Sequence, residues 1–348
     1  MCNSGIVGWD VGGAHLKLAL LGMDGSLRMA KQLPSPLWRG VQRFETAMQN
    51  ALDTLPDTAA EHGVTFTGEL ADVFETRAIG ITTLITHMVA HLGEENMRIY
   101  AGRKGFVGRS RVSAHTTEIA SANWHASVRF VSMHLAEGIL IDIGSTTTDI
   151  VPFAGGEVCC RGYTDSDRMQ YDELLYTGIV RTPIIAVTQR IPFAGEWQYL
   201  AAEHFATMAD VYRLTGALPV DADLLETPDG ASKSVEDSAR RLARMLGRDL
   251  DAAKPFDPWC GVARYIANLQ LARIYQGLER TLSRHVIADD APLIGAGTGR
   301  FLVRDLANRL GRPFVDFSEL IDAPLELKPL ASDCAPAVAV AQLLRMGH

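Results

Sequence analysis

Apolar residues recur along the chain in two rhythms. Near the N-terminus, Gly8-Trp9-Asp10-Val11-Gly12-Gly13-Ala14-His15-Leu16-Lys17-Leu18 reads as a strand that ends in Asp, turns through glycines and returns as a second strand. Leu140-Ile141-Asp142-Ile143-Gly144-Ser145-Thr146-Thr147-Thr148-Asp149-Ile150 repeats that pattern. Asp10 aligns with Asp142 and Gly12 with Gly144, both at an offset of 132. Each copy then runs into a glycine hairpin turn, Gly22-Met23-Asp24-Gly25 in the first and Ala154-Gly155-Gly156-Glu157 in the second. Matching flanks on two copies this far apart predict duplicated lobes.

Between and beyond the copies the period is helical. Val41, Phe44, Met48 and Leu52 share one face of a helix expected over 41–55, and a second helix is expected over 83–91. A short strand follows at 98–100. The second half is expected to carry a helical insert, with helices over 196–214, 232–246 and 262–285. A buried strand at 292–294 leads into Gly295-Ala296-Gly297-Thr298-Gly299. Then come a helix over 301–310, a strand at 313–315 and a closing apolar helix over 335–346. Strands alternating with helices predict an α/β protein of two lobes, one from residues 1–130 plus 331–348 and the other from 131–330.

Composition narrows the partners. The net charge of -8, without a Lys/Arg run, argues against nucleic acid and anionic membrane. Cys2, Cys159, Cys160, Cys260 and Cys334 are odd in number and form no CxxC, so neither a disulfide framework nor a structural zinc site is expected. No stretch of about 18 apolar residues could span a bilayer. The expectation is a soluble, cytoplasmic protein acting on small molecules, with a homodimer left open.

A charged residue inside an apolar strand is expensive unless it has a partner or a role. Asp142 follows Gly138-Ile139-Leu140-Ile141 and precedes a glycine and a run of hydroxyls. Gly144 allows close backbone approach to an anion, and Ser145, Thr146 and Thr147 offer donors to phosphate oxygens. Asp142 is then placed to hold Mg²⁺ through its water shell. Asp10, with Gly12 and Gly13, supplies a second such hairpin, and Lys17 adds positive charge.

Paired hairpins of this kind resemble the actin-like ATPase superfamily, which holds sugar kinases, heat-shock chaperones and actin. Gly295, Gly297 and Gly299 are similar to its third motif, the glycine turn beside adenosine. Ala14 and His15 depart from the pattern, standing where many members carry Ser or Thr. A narrower resemblance spans nearly the whole chain. Gly8 to Lys17, Thr67-Gly68-Glu69-Leu70-Ala71-Asp72, Ser121-Ala122-Asn123-Trp124 and Tyr176-Thr177-Gly178-Ile179-Val180-Arg181-Thr182-Pro183 are similar to a hydantoinase/oxoprolinase-related family. The compact branch of that family occurs in methanogens and in methylotrophs with tetrahydromethanopterin-linked one-carbon transfer.

That resemblance implies a Mg²⁺-dependent transferase of methanofuran biosynthesis. It would join an aminomethylfuran-methyl diphosphate to the phenol of γ-glutamyltyramine and release pyrophosphate. Glu69 or Asp72 is then the expected base toward the phenol, with Lys17 assisting. Arg77 and Arg181 are expected to meet the glutamyl carboxylate or the diphosphate. His15, Asn123 and Trp124 are expected to touch substrate. An ATP-dependent small-molecule kinase on the same hairpins is the alternative.

Overall fold

The computed structural model describes residues 5–56, 59–251 and 257–348. Cys2 lies outside them. The first alternating run becomes three antiparallel strands, β1 (Gly5–Val11), β2 (His15–Leu21) and β3 (Leu27–Pro34). Helix α1 (Val41–Leu52) buries Phe44, Ala47, Met48 and Ala51. Strand β4 (Ala59–Phe66), helix α2 (Arg77–Leu92) and strands β5 (Met97–Tyr100) and β6 (Phe106–Val107) complete a six-stranded sheet, ordered β3-β2-β1-β4-β5-β6. β1, β4 and β5 run parallel.

Short α3 (Thr116–Ile119) and α4 (Asn123–Ser132) lead to the second copy, β7 (Glu137–Ile143), β8 (Thr148–Ala154) and β9 (Glu157–Val158). Helix α5 (Asp165–Gln170) and strand β10 (Leu174–Leu175) follow. A small hairpin, β11 (Arg190–Phe193) and β12 (Glu196–Tyr199), then precedes α6 (Met208–Leu214), α7 (Val235–Met245) and the long α8 (Asp257–Leu282). β13 (Leu293–Ala296), α9 (Arg300–Leu310), β14 (Phe314–Asp316), α10 (Lys328–Asp333) and α11 (Ala335–Met346) close the chain. The second sheet is ordered β10-β8-β7-β13-β14. β13 and β14 stand beside β7 as β4 and β5 stand beside β1, each set parallel. The repeat read from the sequence is therefore a repeat of topology, and the architecture is that of the actin-like ATPases.

Two departures from the sequence reading have local causes. Residues 196–214 are not one helix. Ala194 and Gly195 both hold positive φ, 53° and 85°, the backbone of a two-residue hairpin that pairs β11 with β12, and α6 begins only at Met208. Helix α2 starts at Arg77, ahead of the expected residue 83, because the Thr76 side chain caps it by accepting from the Ile79 N–H. Among the described residues no helix is long and apolar enough to cross a membrane.

Helix α11 packs on β1, β2 and β4, and α4 packs on both α11 and β8, so one apolar cluster joins the two sheets. The approach is close. A Cβ built on Gly8 of β1 would stand 1.9 Å from the Ala337 carbonyl oxygen of α11. Gly8→Ala should therefore cost at least about 2 kcal/mol, at the upper range of overpacking penalties, because backbone has nowhere to yield. Urea denaturation checks it, and an unchanged midpoint would refute the packing argument.

Candidate functional site

The two hairpins face one cleft of about 510 Å³. In β1 and β2, Asp10 stands opposite Lys17; in β7 and β8, Asp142 stands opposite Asp149. The offset that relates Asp10 to Asp142 also relates Lys17 to Asp149, so the duplication brings three buried carboxylates to one half-buried ammonium. Both turns close alike, with the Gly12 N–H donating to the His15 carbonyl (3.0 Å) and the Gly144 N–H to the Thr147 carbonyl (2.9 Å).

Burial dominates the electrostatics. It pushes the Asp142 carboxyl up to about 7, against the pull of Lys17 and helped by Asp149 and Asp10. It pushes Asp10 up to about 6, again against Lys17. Lys17 loses to burial but gains more from Asp10 and Asp142, so its ammonium is held above the ordinary range. His15 is driven down to about 3 by burial and then by Lys17 and Arg181, which leaves a neutral ring whose buried Nε2 has no protein partner.

Magnesium fits this group on one observation. The buried Oδ1 of Asp10 has no hydrogen-bond partner, which is costly for a carboxylate unless a cation or ordered water meets it. No group of three or more metal-ligating side chains occurs among the described residues. A magnesium ion would thus be held by Asp10 and Asp142, with its other positions filled by water and substrate oxygens.

The second hairpin is gripped from behind. A Cβ on Gly178 would lie 2.5 Å from the Thr146 nitrogen, and the Ile179 and Arg181 N–H groups donate to the Gly144 and Ser145 carbonyls (3.1 and 2.8 Å). Arg181 then reaches over, donating to Thr146 Oγ1 at 3.3 Å, with its guanidinium 4.1 Å above the Trp38 ring. Also lining the cleft, the Trp124 ring carries the Arg168 guanidinium at 3.9 Å, and Arg168 donates to Asp149 Oδ1 at 2.8 Å.

Most residues singled out in the sequence line this cleft: Asp10, Gly12, Gly13, His15, Lys17, Asp72, Asn123, Trp124, Asp142, Gly144, Ser145, Thr146, Thr147 and Arg181. Five do not. Glu69 is 1% exposed and lies behind the wall, where Ser121 Oγ approaches its Oε1 at 3.0 Å. Arg77 pairs with Asp165 at 2.6 Å. Gly295, Gly297 and Gly299 are buried in packing, since a Cβ on Gly297 would lie 2.3 Å from Asp142 Oδ1 and one on Gly299 2.4 Å from Ile143. Sequence reasoning missed Trp38, Ser121, Asp149, Asp165, Arg168 and Tyr176, which also line the cleft. Asp149 was reachable by applying the repeat offset to Lys17, and Ser121 and Tyr176 stand in the family-like strings; Trp38, Asp165 and Arg168 carry no signal short of the fold.

Known proteins agree with this architecture. A synthase from Methanocaldococcus jannaschii, (4-{4-[2-(gamma-L-glutamylamino)ethyl]phenoxymethyl}furan-2-yl)methanamine synthase, is 27% identical over 341 residues, 98% of this chain and 97% of its own length. A protein of the same name from Methanococcus vannielii is 26% identical over 182 residues, 52% of this chain and 80% of its own. The nucleotide-free structure of acetone carboxylase superposes with a TM-score of 0.53 at 12% identity, covering 89% of this chain and 68% of that one, and at that identity the likeness speaks to fold alone. The hydantoinase/oxoprolinase family model matches residues 61–344, most of the chain and all of the second sheet, and the protein belongs to the hydantoinase/oxoprolinase family.

Proposed function

We propose that the protein is a cytoplasmic transferase of methanofuran-type cofactor biosynthesis. It condenses an aminomethylfuran-methyl diphosphate with the phenol of γ-glutamyltyramine to form an aryl ether and pyrophosphate. The observation that carries this reading is the shared cleft: both Asp-Gly hairpins, the hydroxyls of Ser145, Thr146 and Thr147, and the rings of Trp38 and Trp124 meet there. The full-length likeness to a synthase named for a phenoxymethylfuran product supports it.

In this reading Thr146, Thr147 and Arg181 bind the diphosphate, and Lys17 stands beside it as a fixed positive charge. Bound magnesium would neutralise the charge that grows on the departing oxygens. Trp124 and Trp38 offer aromatic faces to the furan and phenol, and His15, neutral with an open Nε2, contacts a polar substrate atom. Asn123 lies at the same wall. Of the two carboxylates of the Thr67 to Asp72 segment, only Asp72 lines the cleft.

The first hairpin offers Ala14 and His15 where a kinase would want hydroxyl donors. Pyrophosphate with magnesium should therefore bind more tightly than ATP in calorimetric titration. Thr146→Val should weaken pyrophosphate by about 1–3 kcal/mol, the usual cost of a lost hydrogen bond to a charged group. Incubation with the furan diphosphate and γ-glutamyltyramine should release pyrophosphate. Tight ATP binding without pyrophosphate binding would replace this reading with a kinase.

A further inference from the structure

Ser121 sits at an unusual place in the cleft wall. Its φ is 50°, a left-handed backbone that a non-glycine residue adopts only when the surroundings enforce it. The conformation aims Oγ between two carboxyl groups, 3.0 Å from Glu69 Oε1 and 3.1 Å from Asp165 Oδ2. A serine hydroxyl has one hydrogen to give and lone pairs to accept with. It can donate to one of those oxygens only, so the other contact is a hydrogen bond when that carboxyl carries a proton and donates to Oγ.

The surroundings decide which carboxyl holds the proton. Asp165 lines the cleft and takes a 2.6 Å hydrogen bond from Arg77 Nη2 on the same Oδ2, so it is the ionised member. Glu69 is almost fully buried, Arg77 is 3.9 Å from it, and its Oε2 has no partner at all. An unpartnered oxygen is far cheaper to bury on a neutral acid than on an anion. Burial, ahead of the opposing bonds from Ser121 and Arg77, holds the Glu69 carboxyl above the usual range. The other charged or titratable groups facing the pair are Tyr176 and, beyond it, Asp149.

We propose that Glu69, Ser121 and Asp165 form a proton-sharing carboxyl pair in which Asp165 is the base toward the acceptor and Glu69 is its buried acid partner. The order is Glu69 O–H to Ser121 Oγ, and Ser121 O–H to Asp165 Oδ2. Resting on the transferase reading, the chemistry balances. The phenol O–H breaks and its proton goes to Asp165. The phenol oxygen bonds the furan methylene carbon, and the carbon–oxygen bond to diphosphate breaks with its electron pair leaving on pyrophosphate. The pair carries one proton before the step and two after it. Asp165 is the catalytic residue; Ser121 and Glu69 position and poise it.

Two experiments separate this inference from the reading beneath it. The first uses no substrate. The infrared spectrum of the full chain at pH 7.5, minus that of Glu69→Gln, should show the carbonyl stretch of a protonated acid, and in Ser121→Ala that band should shift as its hydrogen bond is lost. A difference spectrum with only carboxylate bands would overturn the pair. The second measures pyrophosphate release. Asp165→Asn should lose about 10²- to 10⁴-fold in turnover, the span of general base catalysis, with pyrophosphate binding retained. Glu69→Gln keeps a donor to Ser121 and should lose only severalfold, with the acid limb of the pH profile displaced. The reverse ranking, Glu69→Gln far worse than Asp165→Asn, would make Glu69 the base and end this assignment. A wild-type protein that releases no pyrophosphate would defeat the transferase reading alone, while the infrared result still decides the pair.

Discussion

Asp142→Asn is expected to make the protein more stable and to abolish its turnover. Asparagine keeps the shape and removes the charge. In the native state burial holds the Asp142 carboxyl up to about 7 against an ordinary value of 3.8. A raised carboxyl means the folded state binds the proton more tightly than the unfolded one. Its ionisation therefore opposes folding: the penalty is full above about pH 7 and fades as pH falls from there toward the ordinary 3.8. The variant should melt several degrees higher than the wild type at pH 8, and the difference should shrink by pH 6. The same variant should lose magnesium-dependent pyrophosphate binding and about 10³-fold or more in turnover, the scale of removing a principal electrostatic contact from a transition state. Added magnesium and pyrophosphate should raise the melting temperature of the wild type but not of the variant. Scanning calorimetry at both pH values decides it. A variant less stable than wild type at pH 8 would refute the burial penalty, and one that still binds magnesium pyrophosphate would remove Asp142 from the metal-holding pair.

Arg168→Met should be the most damaging change outside the hairpins. The Arg168 side chain is 1% exposed, donates to Asp149 Oδ1 and to the Glu173 carbonyl at 2.8 Å each, and covers the Trp124 ring. Methionine fills much of the volume and removes the charge. Asp149 would then remain buried near Asp10 and Asp142 with Lys17 as its main relief. Breaking one side of a buried ion pair costs about 3–5 kcal/mol. Burial already raises the Asp149 carboxyl despite Arg168; without the arginine it rises further, so the loss of stability should be greatest at high pH and smaller in acid. Asp149→Asn added to Arg168→Met should recover a large part of it, because the orphaned charge goes too. Denaturant titrations of the two single variants and the double variant measure this. A loss below about 1 kcal/mol in Arg168→Met, the level of a surface pair, would mean that water reaches Asp149.

The sequence by itself determined the elements whose signal is local and repeated. The two Asp-Gly hairpins, the closing helix Ala335–Met346 and the register of the duplication follow from alternation and spacing, because a strand that buries one face must place like residues at like positions. That was enough to bring together the hairpin residues that line the cleft. It failed at the 196–214 segment, where helix-forming composition was overridden by a turn with two positive φ angles. Only the tertiary structure decided what lies behind the cleft wall. Glu69 reads as a candidate base three residues from Asp72, yet packing buries it against Ser121, 52 residues away along the chain, and Ser121 in turn meets Asp165 across another 44. Gly295, Gly297 and Gly299 read as a ligand turn, yet Gly297 and Gly299 are the space into which Asp142 and Ile143 of β7 press, and Gly295 that into which Phe314 presses. Both outcomes share one physical reason. Hydrogen-bond partners and burial are set by contacts between distant segments, and a local pattern carries no record of which segments will meet.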